Sequence, residues 1–165
     1  MKILIISDSH GHIANLKHIV GFAKKYEVTA IIHAGDWDTS TAVEVVRLSG
    51  IPFYTVLGNA DIDPELISKL KSQSAKFGED FLTVNLGGRN IGITHKPSDN
   101  NVFFKDKKYS GEKKLDLIIN GHYHSKYESA ETPVKIIRPG ATVTGINFAV
   151  YDTVKNKVEF INEAL

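Results

Sequence analysis

The chain has 165 residues, of which 42% are hydrophobic, 9% aromatic and 24% charged, and its net charge is +1. This composition predicts one globular domain over residues 1–165 and excludes a disordered or fibrous protein, while the charge is too small for unspecific nucleic-acid binding. The sequence has no cysteine, which excludes disulfides, thiolate metal sites and cysteine nucleophiles. The apolar run at residues 3–6 is too short for a signal peptide or a membrane span, so we expect a cytoplasmic protein without a membrane partner.

The first half of the chain alternates between predicted strands and helices. Short apolar runs predict buried strands at residues 3–6, 28–32 and 51–57. Apolar residues at helical spacing predict helices over residues 13–23, 39–48 and 64–72. This alternation is typical of a parallel β-sheet with helices on its faces.

The second half is typical of strands joined by turns. Residues 81–86 and 91–94 flank a Gly-Gly-Arg-Asn turn and predict a hairpin. Residues 115–119 predict a further buried strand. From residue 134 onward, apolar residues alternate with a period of two in several short stretches, which predicts antiparallel strands.

Polar side chains follow five of the predicted strands. They are Asp8 and His10, Asp36, Asn59, His95, and His122 with His124. Ligands of open α/β sheets bind beyond the carboxyl ends of the strands, so we expect these side chains to converge on one site. Oxygen and nitrogen ligands without thiolates favour manganese, iron, zinc, nickel or cobalt over calcium. Seven candidate ligands exceed the needs of one ion, which predicts a pair of ions and the hydrolysis of phosphate esters.

Each cluster also has a structural interpretation when it is considered alone. Asp8 with His10 could cap the first helix, Asp36 could cap the second, and Asn59 could form a turn. A structural role is harder to find for His122 and His124, because alternate residues of an extended segment point the same way.

The motifs Asp8-Ser9-His10, Gly35-Asp36, Gly58-Asn59, His95 and Gly121-His122-Tyr123-His124 resemble the ordered signature of the calcineurin-like metallophosphoesterases, particularly their small bacterial and archaeal phosphodiesterase branch. The resemblance implies an α/β fold, a four-layer α-β-β-α sandwich with two mixed β-sheets flanked by helices. It also implies a dinuclear metal centre. One ion would be held by Asp8, His10, Asp36 and His124, and the other by Asp36, Asn59, His95 and His122. Asp36 would bridge two divalent ions, with manganese expected first and nickel, iron, zinc, cobalt or magnesium as alternatives.

The family resemblance further implies in-line attack on phosphorus by a metal-bridging hydroxide, with Asp36, Asn59 and His95 as the catalytic residues. The expected substrate is a small phosphodiester, and phosphomonoesters form a second class. Two positions depart from the family pattern. Ala60 stands where many members have a histidine that protonates the leaving group, and Lys96 follows His95 where some relatives continue Gly-His.

Two other functions remain open at this stage. A relative of this fold in the retromer coat is regarded as an interaction protein with a degraded metal site, so the alternative is a non-catalytic scaffold. A mononuclear iron oxygenase would need only three ligands and would leave the others without a role. We also consider a homo-oligomer, and no motif indicates a nucleic-acid partner.

Several basic residues have two interpretations each. His33 either orients a metal ligand or lies in the core, His12 either reaches the cleft or lies on the surface, and His18 is expected in solvent. Arg138 contacts phosphate or is an ordinary surface arginine. The lysine-rich segment Lys105–Lys114 is either a solvated helix face or an overhang that attracts anionic esters.

Overall fold

The computed structural model of the protein describes residues 1–106, 114–129 and 134–163. In chain order the elements are β1 (Lys2–Ile6), α1 (Ile13–Gly21), β2 (Val28–His33), α2 (Ser40–Arg47), β3 (Phe53–Val56), α3 (Pro64–Gln73), β4 (Lys76–Gly78), β5 (Phe81–Leu86), β6 (Arg89–Thr94), α4 (Asn101–Lys105), β7 (Leu117–Ile119), β8 (Lys126–Glu128), β9 (Lys135–Pro139), β10 (Ile146–Asp152) and β11 (Lys157–Glu163). Short 3-10 helices occupy Pro97–Asn100 and Thr142–Thr144. All the strands and helices predicted from apolar patterning are present, with ends shifted by a few residues.

The strands form two mixed β-sheets. The first sheet has the order β11-β10-β1-β2-β3-β4, in which β1 to β4 are parallel and β10 and β11 are antiparallel. The second has the order β5-β6-β7-β9-β8, with parallel pairing from β6 through β7 to β9 and antiparallel pairing at both edges. The carboxyl ends of β1, β2 and β3 therefore lie at one edge of the first sheet.

Helices cover the outer faces of both sheets. Apolar side chains of α1, α2 and α3 pack on the first sheet around Trp37 and Phe148. A second apolar core fills the space between the sheets, and α4 packs through Phe103 against Ile118 on the outer face of the second sheet. The expected four-layer sandwich is therefore confirmed. None of the helices in the described ranges has the length and apolar character required to cross a membrane.

Strand β1 shows why the apolar run at residues 3–6 is unbroken. Ile3 and Ile5 face the core between the sheets, whereas Leu4 and Ile6 face the helices, and all four are fully buried. A strand buried on both faces has no position for a polar side chain. The chain therefore places its first polar residues at the end of the strand, where it leaves the sheet.

Two strands were not predicted, and one predicted feature lies partly outside the described residues. β4 and β8 have three residues each and lie at sheet edges with exposed or half-buried side chains, so they carry little apolar pattern. Within the lysine-rich segment, Lys105 ends α4 and is exposed. The other lysines of this segment, apart from Lys114, fall outside the described residues.

Candidate metal centre

The polar residues predicted to converge do lie together, along the boundary between the two sheets. Asp8, Asp36 and Asn59 follow strands of the first sheet, and His95, His122 and His124 follow strands of the second. Asp8, Asp36 and His95 are each 3% exposed or less. The site is therefore a partly buried cluster of carboxylate and imidazole groups at the end of the central strands.

One half of the cluster contains Asp8, His10 and His124. These three residues offer ligand atoms that all lie within 4.8 Å of one another. Nε2 of His124 is 3.7 Å from Oδ1 of Asp8, and Nε2 of His10 is 3.6 Å from Oδ2 of Asp36. The His10 and His124 rings are tilted against each other, with centroids 5.7 Å apart.

The other half contains Asp36, Asn59, His95 and His122. Nε2 of His95 is 3.2 Å from Oδ2 of Asp36, and Nδ1 of His122 is 3.0 Å from Oδ1 of Asn59. Asp8, Asp36 and His95 form a second group of ligand atoms that lie within 4.8 Å of one another. Asp36 thus contacts histidines from both halves through a single carboxylate oxygen.

The backbone at the site adopts an unusual conformation. Asp8, His10, Asp36, Asp38 and His122 all have positive φ angles, between 42° and 69°. Among the described residues other than glycine, two more share this property, and both lie elsewhere. Left-handed backbone costs a side-chain-bearing residue of order 1 kcal/mol and is concentrated at functional sites in proteins.

The left-handed turn at His122 corrects one prediction. We expected His122 and His124 to project together from an extended segment, and this is wrong because φ of His122 is 69°. The turn sends the two imidazoles to opposite halves of the cluster, His122 to Asn59 and His124 to Asp8. One short motif therefore supplies both halves.

Two glycines are required by close approach to the carboxylates. A Cβ atom on Gly58 would lie 2.0 Å from Oδ1 of Asp36. A Cβ atom on Gly121 would lie 2.0 Å from Oγ of Ser7 and 2.9 Å from Oδ2 of Asp8. The Gly-Asn and Gly-His dipeptides therefore bring Asn59 and His122 to the site because their first residue lacks a side chain.

Hydrogen bonds on the outer side of the rings orient two of the histidines. Nδ1 of His10 lies 3.0 Å from Oδ2 of Asp38, and Nδ1 of His95 donates to the carbonyl oxygen of Ala34 at 2.7 Å. In both cases Nε2 is left to face Asp36. A histidine that ligates a metal commonly has such a partner on its other nitrogen, which fixes the ring and its tautomer.

The contact between His95 and Asp36 requires a positive charge. A carbonyl oxygen can only accept, so the proton of neutral His95 is on Nδ1 and its Nε2 presents a lone pair. That Nε2 is buried and has no hydrogen-bond partner in the described part of the chain, yet it faces a carboxylate oxygen. A proton or a metal ion between the two atoms removes the repulsion, so the residues present fit a divalent cation.

The ionisation of this pair agrees with that requirement. Although burial raises the pKa of Asp36, the adjacent His95 and the N–H of Ala60 lower it to about 2. Although burial lowers the pKa of His95, Asp36 and the Ala34 carbonyl raise it above its ordinary value. Asp36 therefore remains ionised at neutral pH and attracts a cation into the cluster.

Asp61 organises the site and was not predicted to do so. Its buried carboxylate accepts hydrogen bonds from the N–H groups of Asp36, Trp37 and Asp38 at 2.9, 2.7 and 3.0 Å. It also accepts one from Gly58 at 2.8 Å. Asp61 thus fixes the left-handed turn that carries Asp36, and burial raises the pKa of Asp61 itself.

The helix caps exclude one structural interpretation of the predicted ligands. The N-cap of α1 is His12, whose Nδ1 accepts from the N–H of Asn15, and the N-cap of α2 is Thr39. The suggestion that Asp8, His10 or Asp36 caps these helices is therefore wrong. His12 is exposed and caps α1.

Two more histidines have defined positions. His33 is fully buried, stacks on Trp37 with ring centroids 3.7 Å apart, and places Nε2 3.0 Å from Oγ of Ser9. It therefore supports the turn between Asp8 and His10 and does not contact a predicted ligand side chain through a hydrogen bond. His18 is exposed on α1, as predicted.

Residues 1–156 of the chain match the family model described as the calcineurin-like phosphoesterase superfamily domain. The chain therefore belongs to this superfamily, and the resemblance found in the motifs is confirmed. Membership supports a hydrolase of phosphate esters, and the donor set described above is consistent with the divalent metals that this family implies.

The similar proteins include a phosphodiesterase and a probable metallophosphoesterase. It is 27% identical over 166 positions to phosphodiesterase MJ0936 of Methanocaldococcus jannaschii, covering 95% of this chain and 96% of the relative. It is 29% identical over 149 positions to the probable metallophosphoesterase YsnB of Bacillus subtilis, covering 86% and 75%. A solved structure of an archaeal phosphodiesterase shares the fold with a TM-score of 0.81 at 23% identity, covering 99% of this chain and 100% of that one.

Proposed function

We propose that this protein is a dinuclear-metal phosphoesterase that hydrolyses small phosphodiesters, with phosphomonoesters as a secondary class. The observation that carries the proposal is the buried Asp36 carboxylate, which lies between Nε2 of His10 and Nε2 of His95. An arrangement of this kind can serve two neighbouring cations through one shared group.

The proposed ligands divide as the two halves of the cluster do. Asp8, His10, Asp36 and His124 would hold one ion, and Asp36, Asn59, His95 and His122 would hold the other. We expect manganese first, with nickel, iron, zinc, cobalt or magnesium as alternatives. When bound, such ions lower the pKa of water and offset negative charge that develops on a phosphoryl group.

Three side chains of the site would orient the substrate or stabilise charge during the reaction. Asn59 is exposed, and because its Oδ1 faces His122, its Nδ2 is directed away and has no partner among the described residues. It can therefore donate to a non-bridging phosphoryl oxygen while charge accumulates there. Asp36 and His95 hold the buried side of the site in one geometry. We infer in-line attack of water on phosphorus, without a covalent enzyme intermediate.

Charge around the cleft favours a diester over a monoester. The cleft beside Asn59 and His95 is also lined by Lys96 and by the acidic residues Glu79, Asp80 and Asp99, of which Glu79 is paired with Lys71 at 2.7 Å. A phosphodiester carries about one negative charge and a monoester nearly two at neutral pH, so repulsion from the carboxylates is smaller for the diester. Lys96 offsets part of that repulsion.

Hydrolysis of p-nitrophenyl esters tests the proposal. Protein stripped with a chelator should not hydrolyse bis(p-nitrophenyl) phosphate or p-nitrophenyl phosphate, and manganese should restore turnover that is faster on the diester. His124→Ala should lower the restored rate by at least about 100-fold, since a ligand matters no less than the groups that orient it. His18→Ala, at an exposed histidine on α1, is the matched control and should retain the rate.

The other outcomes separate the alternatives. A preference for the monoester would retain the phosphoesterase and overturn the diester assignment. No turnover with any of the six metals would contradict the enzyme and favour the scaffold on the same fold, which the fold alone does not exclude.

A further inference from the structure

A row of exposed aromatic rings and one guanidinium lies beside the proposed metal centre. The ring of Tyr123 has its centroid 5.2 Å from that of His122. The guanidinium carbon of Arg138 lies 5.0 Å from the centroid of Tyr123 and 5.2 Å from that of Tyr127. The row therefore begins at a proposed ligand and extends outward along the edge of the second sheet.

The row has a fixed geometry because the fold holds its members. Tyr127 on β8 and Arg138 on β9 are opposite each other in the antiparallel ladder. Nε of Arg138 donates to the carbonyl oxygen of Ser125 at 2.9 Å, which limits rotation of the guanidinium. An arginine that contacts two tyrosine rings gains cation–π attraction to both, which restrains all three side chains.

Neither packing in the core nor ion pairing explains why these three side chains lie together. Tyr123 is 55% exposed and Tyr127 is 45% exposed, so the rings fill no core. Within the described ranges, Arg138 has no carboxylate partner, and the nearby Glu128 pairs with Lys135 at 3.0 Å instead. Exposed tyrosine rings offer a binding partner a large, rigid and amphipathic contact area at low cost in side-chain entropy.

We propose that Tyr123, Tyr127 and Arg138 form a subsite that stacks a planar ring, such as a nucleobase, carried on one ester arm of the substrate. Bases bind proteins by stacking on tyrosine rings and on arginine guanidinium planes, which tolerates different bases. The inference rests on the proposed phosphodiesterase function and specifies its substrate class as nucleotide-like diesters. Tyr123 is the main stacking residue because it is adjacent to His122 in the sequence and in space.

A pair of substrates with the same leaving group tests the subsite. Thymidine 5′-(p-nitrophenyl phosphate) carries a nucleobase, and methyl p-nitrophenyl phosphate does not. We expect the manganese-loaded protein to have a kcat/KM about tenfold higher for the thymidine ester, mainly through a lower KM, since stacking of one base contributes roughly 5- to 150-fold in affinity. The ratio of the two values cancels any general effect of a variant on the metal centre.

Variants of Tyr123 separate stacking from a structural role. Tyr123→Leu should reduce the ratio about tenfold, and Tyr123→Phe should retain it because the ring is kept. Arg138→Gln should reduce the ratio by a smaller factor, since it removes the restraint on the rings. Phe104→Leu, at an exposed aromatic residue of α4 outside the row, is the control and should leave the ratio and the rates unchanged.

A second measurement needs no turnover. Isothermal titration of the metal-free protein with thymidine 5′-monophosphate should give weaker binding in Tyr123→Leu than in Tyr123→Phe. Equal ratios and equal binding in the two variants, with the methyl ester still hydrolysed, would overturn the subsite and leave the proposed function intact. Loss through Arg138→Gln without loss through Tyr123→Leu would replace stacking with anion binding. Failure to hydrolyse either ester would overturn the proposed function and the subsite together.

Discussion

Asp61 shows how much a side chain can matter without reaching the substrate. Its carboxylate gathers four backbone N–H groups from two loops, and those loops carry Asp36 and Asn59. A buried carboxylate that accepts four hydrogen bonds holds the backbone segments that donate them in one conformation. It therefore determines where the Asp36 carboxylate lies.

The first prediction replaces this carboxylate. In Asp61→Asn, an amide NH2 group faces two N–H donors, so at least two hydrogen bonds are lost and the Asp36 turn loosens. We expect the Tm to fall and manganese affinity to weaken about 10- to 100-fold. Calorimetric titration measures the affinity. The control is Asp63→Asn at the exposed N-cap of α3, where asparagine caps equally well.

The second prediction concerns acid stability. Burial holds the pKa of His33 well below its usual 6.5, so the unfolded chain takes up the proton first as the pH falls. The metal-free protein should therefore lose stability below about pH 6.5, by at most about 1.4 kcal/mol per pH unit from this group. His33→Gln should flatten that slope in urea unfolding at pH 5 to 7. An unchanged slope in the variant, with His18→Gln as control, would contradict this role.

The sequence predicts the residues of the site better than the bonds between them. The predicted ligands could be found because each follows an apolar run, which is a local signal. Asp61 and Asp38 were missed as organising groups because most of their hydrogen bonds join positions 23 to 28 residues apart. Whether the predicted ligands bind metal stays a prediction.

At the scale of elements, the loops after β2 and β3 are packed closely against each other. Gly58 has so little room that any added atom collides with the Asp36 carboxylate and the Asp36 backbone nitrogen. The loop after β3 is therefore in contact with the loop after β2. The two loops can approach this closely only because Gly58 has no side chain.

The third prediction adds that side chain. Gly58→Ala should displace Asp36 or Asn59, lower the stability by about 1 to 3 kcal/mol as overpacking does, and abolish metal-dependent hydrolysis. The matched control is Gly21→Ala in α1, where a Cβ meets nothing within 4 Å. That change should be neutral or stabilising by up to about 1 kcal/mol. Equal effects of the two substitutions on activity would contradict the packing argument.

Central elements could be predicted and edge elements could not. β1 and β2 are buried on both faces, so their apolar runs are unambiguous. β8 has three exposed residues and is held by its ladder with β9, so its sequence carries no strand pattern. The conformation of His122 was also missed, because a left-handed residue other than glycine has no clear sequence signal.

At the scale of the molecule, the four layers were expected from the family resemblance. The apolar patterns along the sequence predicted only some of these layers. Alternating strands and helices predicted the parallel strands β1 to β3, and the later period of two predicted antiparallel strands. Neither pattern predicts that the strands divide into two sheets that face each other. That division depends on contacts between distant strands.

The fourth prediction is a change in global stability on metal binding. An ion that binds the folded chain alone adds about 2.7 kcal/mol at a concentration 100 times its Kd. For a chain of this size that corresponds to a Tm increase of about 5 to 10 °C. Manganese should produce this shift in chelator-stripped protein, and a smaller one in His124→Ala. Equal shifts in the two proteins would place the bound ion elsewhere.

The site lies on the boundary between the two sheets, so its occupancy also affects how firmly the sheets are held together. Each sheet is held by its own ladders, and across the boundary His95 donates to the Ala34 carbonyl while the His122 N–H donates to the Asp8 carboxylate. An ion ligated by residues of both sheets would link the two sheets at this edge. Without such an ion the two sheets would be joined at this edge by those two hydrogen bonds and by the apolar core between them, so we expect the metal-free protein to deform more easily along the boundary.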